Sequence, residues 1–323
     1  MLQTQTIKEH EMTDVYRVLC KSHDQYGNDN PEWHRLRKTG VTATDAATLL
    51  SGGSWLDLWA RKTGKTEREF EPNERMQWGH WMEPVTLKAY ASEWYAGREV
   101  RPSGELIQSI DYPWVLATLD AMTLHPDHGW IPLDAKNTDK YLEDTWSEGP
   151  PKKYEWQIRH QAIACGDVGA SSIACTLGGN RLMWADAITT RPTVDQILRV
   201  TEEFWWHVTN DVPPDKPDHT KEGRDALNRL YEPDPAKTIA LKDEFVTLDE
   251  EYSVLKTQLA EAKDDIRPIE NRIKEIENAI RLAMGNNGHA RINDATWKLT
   301  TVPGSSFTVD RKPYGRLTRK APR

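Results

Sequence analysis

At 323 residues the chain is long enough for about two domains of ordinary size. Hydrophobic residues make up 37% of it and charged residues 28%, and no stretch nears the roughly 18–20 consecutive apolar residues of a membrane-spanning helix. The segment MLQTQTIKEHEMTD lacks the apolar run of a secretory signal, and the three cysteines (Cys20, Cys165, Cys175) show no C-x-x-C spacing. A disulfide framework and a cysteine-rich zinc site are thereby excluded, and a cytoplasmic protein is expected.

The net charge of −8 is unevenly placed. Residues 1–237 hold 27 Lys+Arg against 37 Asp+Glu, residues 238–284 hold 7 against 11, and residues 285–323 hold 8 against 2, so the segments carry −10, −4 and +6. The basic end, RKPYGRLTRKAPR, places Arg311, Lys312, Arg316, Arg319 and Lys320 as candidate phosphate contacts on an otherwise acidic chain. The alternative is a solvated tail. Thirteen of the fourteen tryptophans lie between Trp33 and Trp206, so the aromatic-rich core ends soon after EEFWWHV (202–208) and the Pro- and Asp-rich NDVPPDKPDH (210–219) reads as a surface connection.

In chain order, TATDAATLL (42–50) opens with capping chemistry and reads as a helix start. MQWGHWMEPVTLKAYASEWY (76–95) reads as a helix beginning near Gly79, with Trp81, Val85, Leu87 and Tyr90 among its apolar residues. WVLATLDAMTL (114–124) and WIPLDAKN (130–137), separated by HPDHG, predict a β-hairpin. YEWQIRHQAIACG (154–166) predicts a helix, and SSIACTLGG (171–179) a strand closing at paired glycines. The order helix, strand, strand, helix, strand implies an α/β domain over residues 1–232. From Leu241 to Ile280 apolar residues alternate spacings of four and three without a miss, which predicts a heptad-repeat helical arm (233–285), either one kinked helix through Pro268 or a two-helix hairpin. That arm ends at the Gly/Asn cluster MGNNGH (284–289), and residues 286–323 read as a small β-hairpin folded about a Gly-Ser turn, with the basic tail.

The chemistry-bearing constellation is Asp120 followed by Asp134-Ala135-Lys136. Pairing 114–120 with 130–136 sends both carboxylates from neighbouring strands toward one point and puts Lys136 on the face of Asp134. Two hard oxygen ligands and an ammonium are what metal-assisted phosphodiester hydrolysis requires. The bland reading is a pair of surface acids and a lysine beside a turn, against which stand the apolar neighbours Leu119 and Leu133. Glu83, among Trp78, Trp81 and Met82, is a carboxylate in an apolar setting that calls for a partner.

Five segments, WHRLRKTGVTATDAATLL (33–50), WGHWMEPVTLKAY (78–90), ATLDAM (117–122), PLDAKN (132–137) and YEWQIRHQAIACG (154–166), together resemble the lambda-exonuclease / YqaJ-like viral recombinase family of PD-(D/E)XK nucleases. The resemblance spans roughly residues 30–210 and implies a restriction-endonuclease-like core, a mixed central sheet flanked by helices, ahead of the arm and hairpin. By the same resemblance, Asp120, Asp134, the Ala135 carbonyl and Glu83 hold Mg²⁺, with Mn²⁺ able to substitute. Lys136 is the catalytic lysine, Gln157 and Gln161 lie beside the site, and Arg37 and Thr44 hold a 5′-phosphate. Thr44 also opens a helix, where backbone donors favour a phosphate. Three positions depart from the family pattern: Asp134 where Glu is usual, T-L-D-A where Pro-Asp-Gly is common, and Arg159 where a Gln is typical.

The leading expectation is a Mg²⁺-dependent 5′-to-3′ exonuclease acting on double-stranded DNA ends to leave 3′ overhangs. Its implied partners are a single-strand annealing protein and further copies of itself, a trimer by resemblance. A DNA endonuclease or nickase of the same fold, and a non-catalytic DNA-end-binding protein, are the alternatives.

Overall fold

The computed structural model describes residues 15–23, 30–66, 74–215, 218–232, 236, 238–241, 244–284, 286–292 and 295–298. The chain divides into two compact units, Met1–Glu232 and Pro233–Arg323.

The first unit is built on six strands: β1 (Tyr16–Lys21), β2 (Val100–Ser109), β3 (Leu116–His125), β4 (Gly129–Thr138), β5 (Ala170–Leu177) and β6 (Arg181–Ile188). They pair in chain order, antiparallel throughout except for the parallel β4–β5 pair. The helices are α1 (Pro31–Leu36), α2 (Ala43–Leu50), α3 (Trp55–Lys62), α4 (Glu74–Ala91), α5 (Lys152–Ala164), α6 (Arg191–Thr209) and α7 (Lys221–Leu230). Parallel strands need a crossover, and α5 supplies it between β4 and β5. One layer has α4 setting Leu87 and Tyr90 against Ala121, Leu133 and Ala174. In the other, α5 sets Ile158 against Ile173 and Cys175. The mixed sheet between helices is the expected α/β core.

The β3–β4 hairpin forms as its pattern dictates. His125 pairs with Gly129 across a three-residue turn, and Gly129 takes φ 70°, a conformation glycine adopts without a Cβ clash. β5 likewise ends at Gly178 and Gly179, both at positive φ, and turns into β6. At α2, Thr42 is the N-cap and exchanges hydrogen bonds with Asp45 in a capping box.

Two expectations are corrected. Helix α4 starts at Glu74 rather than near Gly79, because Glu74, Arg75, Met76 and Gln77 are good helix formers and Gly79 sits inside the helix with open space around it. Its apolar residues also divide: Leu87 and Tyr90 are buried, whereas Trp78, Trp81 and Val85 are about half exposed. β1, β2 and β6 are strands beyond those expected from the sequence.

In the second unit one helix, α8 (Glu244–Met284), runs continuously through Pro268, so the two-helix alternative does not hold. Leu241, the first residue of the heptad row, precedes the helix. The small hairpin pairs β7 (His289–Ile292) with β8 (Ala295–Lys298). It therefore closes well before the Gly-Ser pair expected to form its turn, and that pair and the basic tail lie outside the described residues. Among the described residues no helix is long and apolar enough to cross a membrane.

Candidate active site

The β3–β4 ladder matches Ala121 with Leu133, so one further step sets Asp120 opposite Asp134. At that step the strands cease to pair as a regular ladder, and the Ala135 N–H donates to the Asp120 carboxylate at 2.8 Å. Asp134 is almost completely buried, and burying a carboxylate demands partners. It has three. Gln157 and Gln161, one turn apart on α5, donate to Oδ1 at 2.8 and 3.0 Å, and the Lys136 ammonium lies 2.5 Å from Oδ2. The second glutamine also reaches the Thr118 carbonyl, tying α5 to the strand of Asp120.

Glu83 approaches from α4, the helix packed on the opposite layer of the sheet. Burial raises its pKa, and so does the charge of Asp134, while His80 and Lys136 pull it down. Asp120 is pushed well above the ordinary carboxylate range by burial, then by Asp134 and Glu83, against the opposing pull of Lys136. Burial alone would lower the pKa of Lys136, yet Asp134 and Asp120 outweigh it and hold the amine in its charged form. Three carboxyl groups thus share one ammonium in a desolvated corner, an arrangement that a further cation would relieve.

The donor set fits a hard divalent ion, because Asp120, Asp134, Glu83 and the Ala135 carbonyl are all oxygen donors. Among the described residues no three His, Cys, Asp or Glu side chains gather closely enough to hold a metal by themselves.

Arg37 follows α1 and Thr44 lies on α2. Arg37 stands 4.3 Å over the Trp33 ring, with its Nε buried and without a hydrogen-bond partner, and burial lowers its pKa. Trp33 in turn donates to Thr118 Oγ1 at 2.9 Å, two residues before Asp120 on the same strand. Thr44 is exposed on the first turn of α2. The arginine thus connects to the Asp120 strand through one indole, and the threonine is the second residue of the adjoining helix, which Thr42 rather than Thr44 opens.

These positions fall within one matched segment. Residues 32–182 match the model of the YqaJ-like viral recombinase domain. The chain is 26% identical over 193 residues to the uncharacterized protein YqaJ of Bacillus subtilis, a match covering 58% of each chain. It therefore spans little more than half the length of that curated relative. The fold is also similar to the crystal structure of an alkaline exonuclease (LHK-Exo) from Laribacter hongkongensis, at 20% identity and a TM-score of 0.45, covering 57% of this chain and 94% of that one. A phage-related exonuclease from Haemophilus somnus matches at 9% identity and a TM-score of 0.40, covering 55% and 99%.

Around these carboxylates the structure adds a scaffold that no sequence pattern announces. The Lys62 ammonium is buried and donates to the Arg37 and Gly40 carbonyls at 2.6 and 2.7 Å, while pairing with Asp45 at 2.6 Å. Burial alone would raise the Asp45 pKa, but Lys62 and the Thr42 hydroxyl hold it down at about 2. His160, beside Gln161 on α5, is buried with Nε2 at 3.1 Å from the Val41 carbonyl and 3.2 Å from that of Leu116. Lys62 and His160 together fix the segment between Arg37 and Thr44 against β3. Their sequence signal was faint, a lysine in ARKTG and a histidine among glutamines. Arg159, the third departure from the family pattern, pairs with Glu155 on its own helix at 2.9 Å.

Proposed function

We propose that this protein is a metal-dependent deoxyribonuclease that resects double-stranded DNA ends 5′ to 3′, in the cytoplasm, leaving 3′ overhangs for a single-strand annealing protein. The observation that carries the reading is Asp134, buried between the Lys136 ammonium and the amides of Gln157 and Gln161 and set opposite Asp120. Such an arrangement is unfavourable for stability alone, since two facing acids repel, and it suits a cation and a phosphodiester.

Asp120, Asp134, Glu83 and the Ala135 carbonyl would hold Mg²⁺, for which Mn²⁺ substitutes. The ion, when bound, acidifies water and offsets the charge that builds on the phosphoryl oxygens. Lys136, kept charged by its two aspartates, orients a water and balances negative charge instead of accepting a proton. Gln157 and Gln161 leave Asp134 no freedom to turn from its place. Arg37, with its unpartnered Nε, and Thr44, on the first turn of α2, hold the 5′-phosphate, which makes a free end the substrate. The arm serves self-association, a trimer by resemblance, and Arg311, Lys312, Arg316, Arg319 and Lys320 add phosphate contacts.

The test is digestion of linear duplex DNA bearing 5′-phosphate or 5′-hydroxyl ends, with a closed circle as control, in Mg²⁺ or EDTA. Loss from 5′ ends, faster with the phosphate, absent in EDTA and absent in Asp120→Ala, is expected. Cutting of the circle would make it an endonuclease, and DNA binding without any cleavage would remove the catalytic reading.

A further inference from the structure

A cleft of about 490 Å³ opens between the first turns of α4 and the turns that follow β4 and β5. Trp78 and Met82 form an apolar wall, facing Asn137 and Thr138, with Gly178 and Gly179 also lining it. Both glycines have positive φ, and a Cβ on Gly178 would press on Lys140 at 3.0 Å, so this side of the cleft stays bare backbone. Asn137 and Thr138 directly follow Lys136 on β4. At about 3.3 Å per residue, Thr138 lies roughly 7 Å along the strand from the lysine.

The core does not account for Trp78. Helix α4 buries Thr86, Leu87 and Tyr90 against the sheet, while Trp78 and Trp81 remain 49% and 58% exposed and meet edge to face at 5.3 Å. One indole thus props the other at the rim of a cleft sized for a small ligand. Arg75 and Asp139 form an ion pair beside the same cleft at 2.8 Å, both well exposed, so parting them for an entering strand costs little.

We propose that this cleft is a nucleobase site. The base of the nucleotide adjoining the cleaved phosphate stacks on Trp78, and Asn137 and Thr138 supply donors and acceptors to its edge. Every base has a π-face, so such a site grips DNA without choosing a sequence, as a resecting enzyme must. The inference rests on the nuclease reading above and adds to it the position of the substrate's base.

The experiment measures binding by fluorescence anisotropy, in EDTA so that nothing is cut. It uses the full chain and a 5′-phosphorylated duplex whose terminal nucleotides are either intact or abasic. Trp78→Ala should bind intact DNA about tenfold more weakly than wild type, and Trp78→Phe should recover most of that loss. Abasic ends should weaken wild type by a similar factor and leave Trp78→Ala nearly unaffected. An equal abasic penalty in both proteins, or unchanged binding by Trp78→Ala, overturns the proposal. Should Trp78→Ala fail to fold, wild type decides alone: indifference to the abasic ends is then the overturning result. Mg²⁺-dependent cutting that Asp120→Ala abolishes would leave the nuclease reading standing in either case, whereas a wild-type chain that neither binds nor cuts DNA removes both.

Discussion

Lys136 has two roles that a single substitution separates. Its ammonium compensates Asp134 and Asp120, and in the proposed reaction it presents a positive charge to a phosphate. Lys136→Met should therefore lower Mg²⁺-dependent cleavage by roughly a hundredfold or more while leaving DNA affinity in EDTA within severalfold of wild type. The same change strands buried carboxylates, so neutral-pH stability should fall by about 3 kcal/mol and partly recover as acid protonates them. Chemical denaturation at two pH values reads the second effect without any assay of activity. His160 titrates in the same sense as an acid that gains a partner, its folded pKa lying below its unfolded one. Burial brings its pKa from 6.5 down to about 4, so between those values the unfolded chain takes up a proton that the folded chain refuses. Its stabilising share is present in full above pH 6.5 and is lost as the pH falls through 4. Over that window wild type should lose on the order of 3 kcal/mol relative to His160→Gln, which keeps a donor and cannot be charged. A stability gap between the two proteins that stays constant from pH 7 to pH 4 would contradict this.

At the scale of elements, the junction between α1 and α2 is what brings the Arg37–Thr44 segment to β3. Gly40 has extended backbone, so its need for glycine is spatial. A Cβ there would meet Leu116 Cγ and the Trp114 carbonyl oxygen, both at 2.7 Å. The neighbouring residue bonds on both sides, Val41 N–H to the Trp114 carbonyl and Leu116 N–H to that of Val41. Gly40→Ala should cost about 1–3 kcal/mol in denaturation and weaken the preference for 5′-phosphate ends more than it lowers cleavage of 5′-hydroxyl ends. The hairpin and the glutamine helix were legible in the sequence because their signals are local: alternation, a turn rich in Pro, Asp and Gly, and glutamines four apart. The junction was not. His160 and the Val41 carbonyl are 119 residues apart, and no periodicity announces such a contact. Helix α4 misleads for a related reason: Trp78 and Trp81 look like core in sequence, yet both are about half exposed and Trp78 lines a cleft. β1 and β6 are the two edges of the sheet, and β1 is largely exposed, which leaves a weak hydrophobic pattern to read.

At the scale of the whole molecule, charge and the heptad row make separate demands. The six basic residues after Val309 face an acidic remainder, so a chain ending there should bind DNA more weakly and with a shallower salt dependence. The row on α8 poses a sharper problem. Phe245, Leu248, Tyr252, Leu255, Leu259, Ile266, Ile269, Ile273 and Ile276 recur at heptad spacing along one helix of 41 residues, about 60 Å long, and all are at least 42% exposed. A lone helix cannot bury such a row on itself, and long isolated helices draw their stability from a packed apolar face. A second copy of the row offers matching spacing along its whole length. Sedimentation of a chain ending at Glu232 should therefore show a smaller assembly than the full chain at equal concentration. Leu255→Glu with Ile269→Glu should have the same effect in the full chain, because a charge at a seam position destabilises the pairing and leaves the helix propensity nearly unchanged. If the shortened chain keeps the full assembly, association belongs to the first unit, and the row must find its cover elsewhere. If the two glutamates disperse the assembly and leave end cleavage intact, the arm gathers copies that are each already competent to cut.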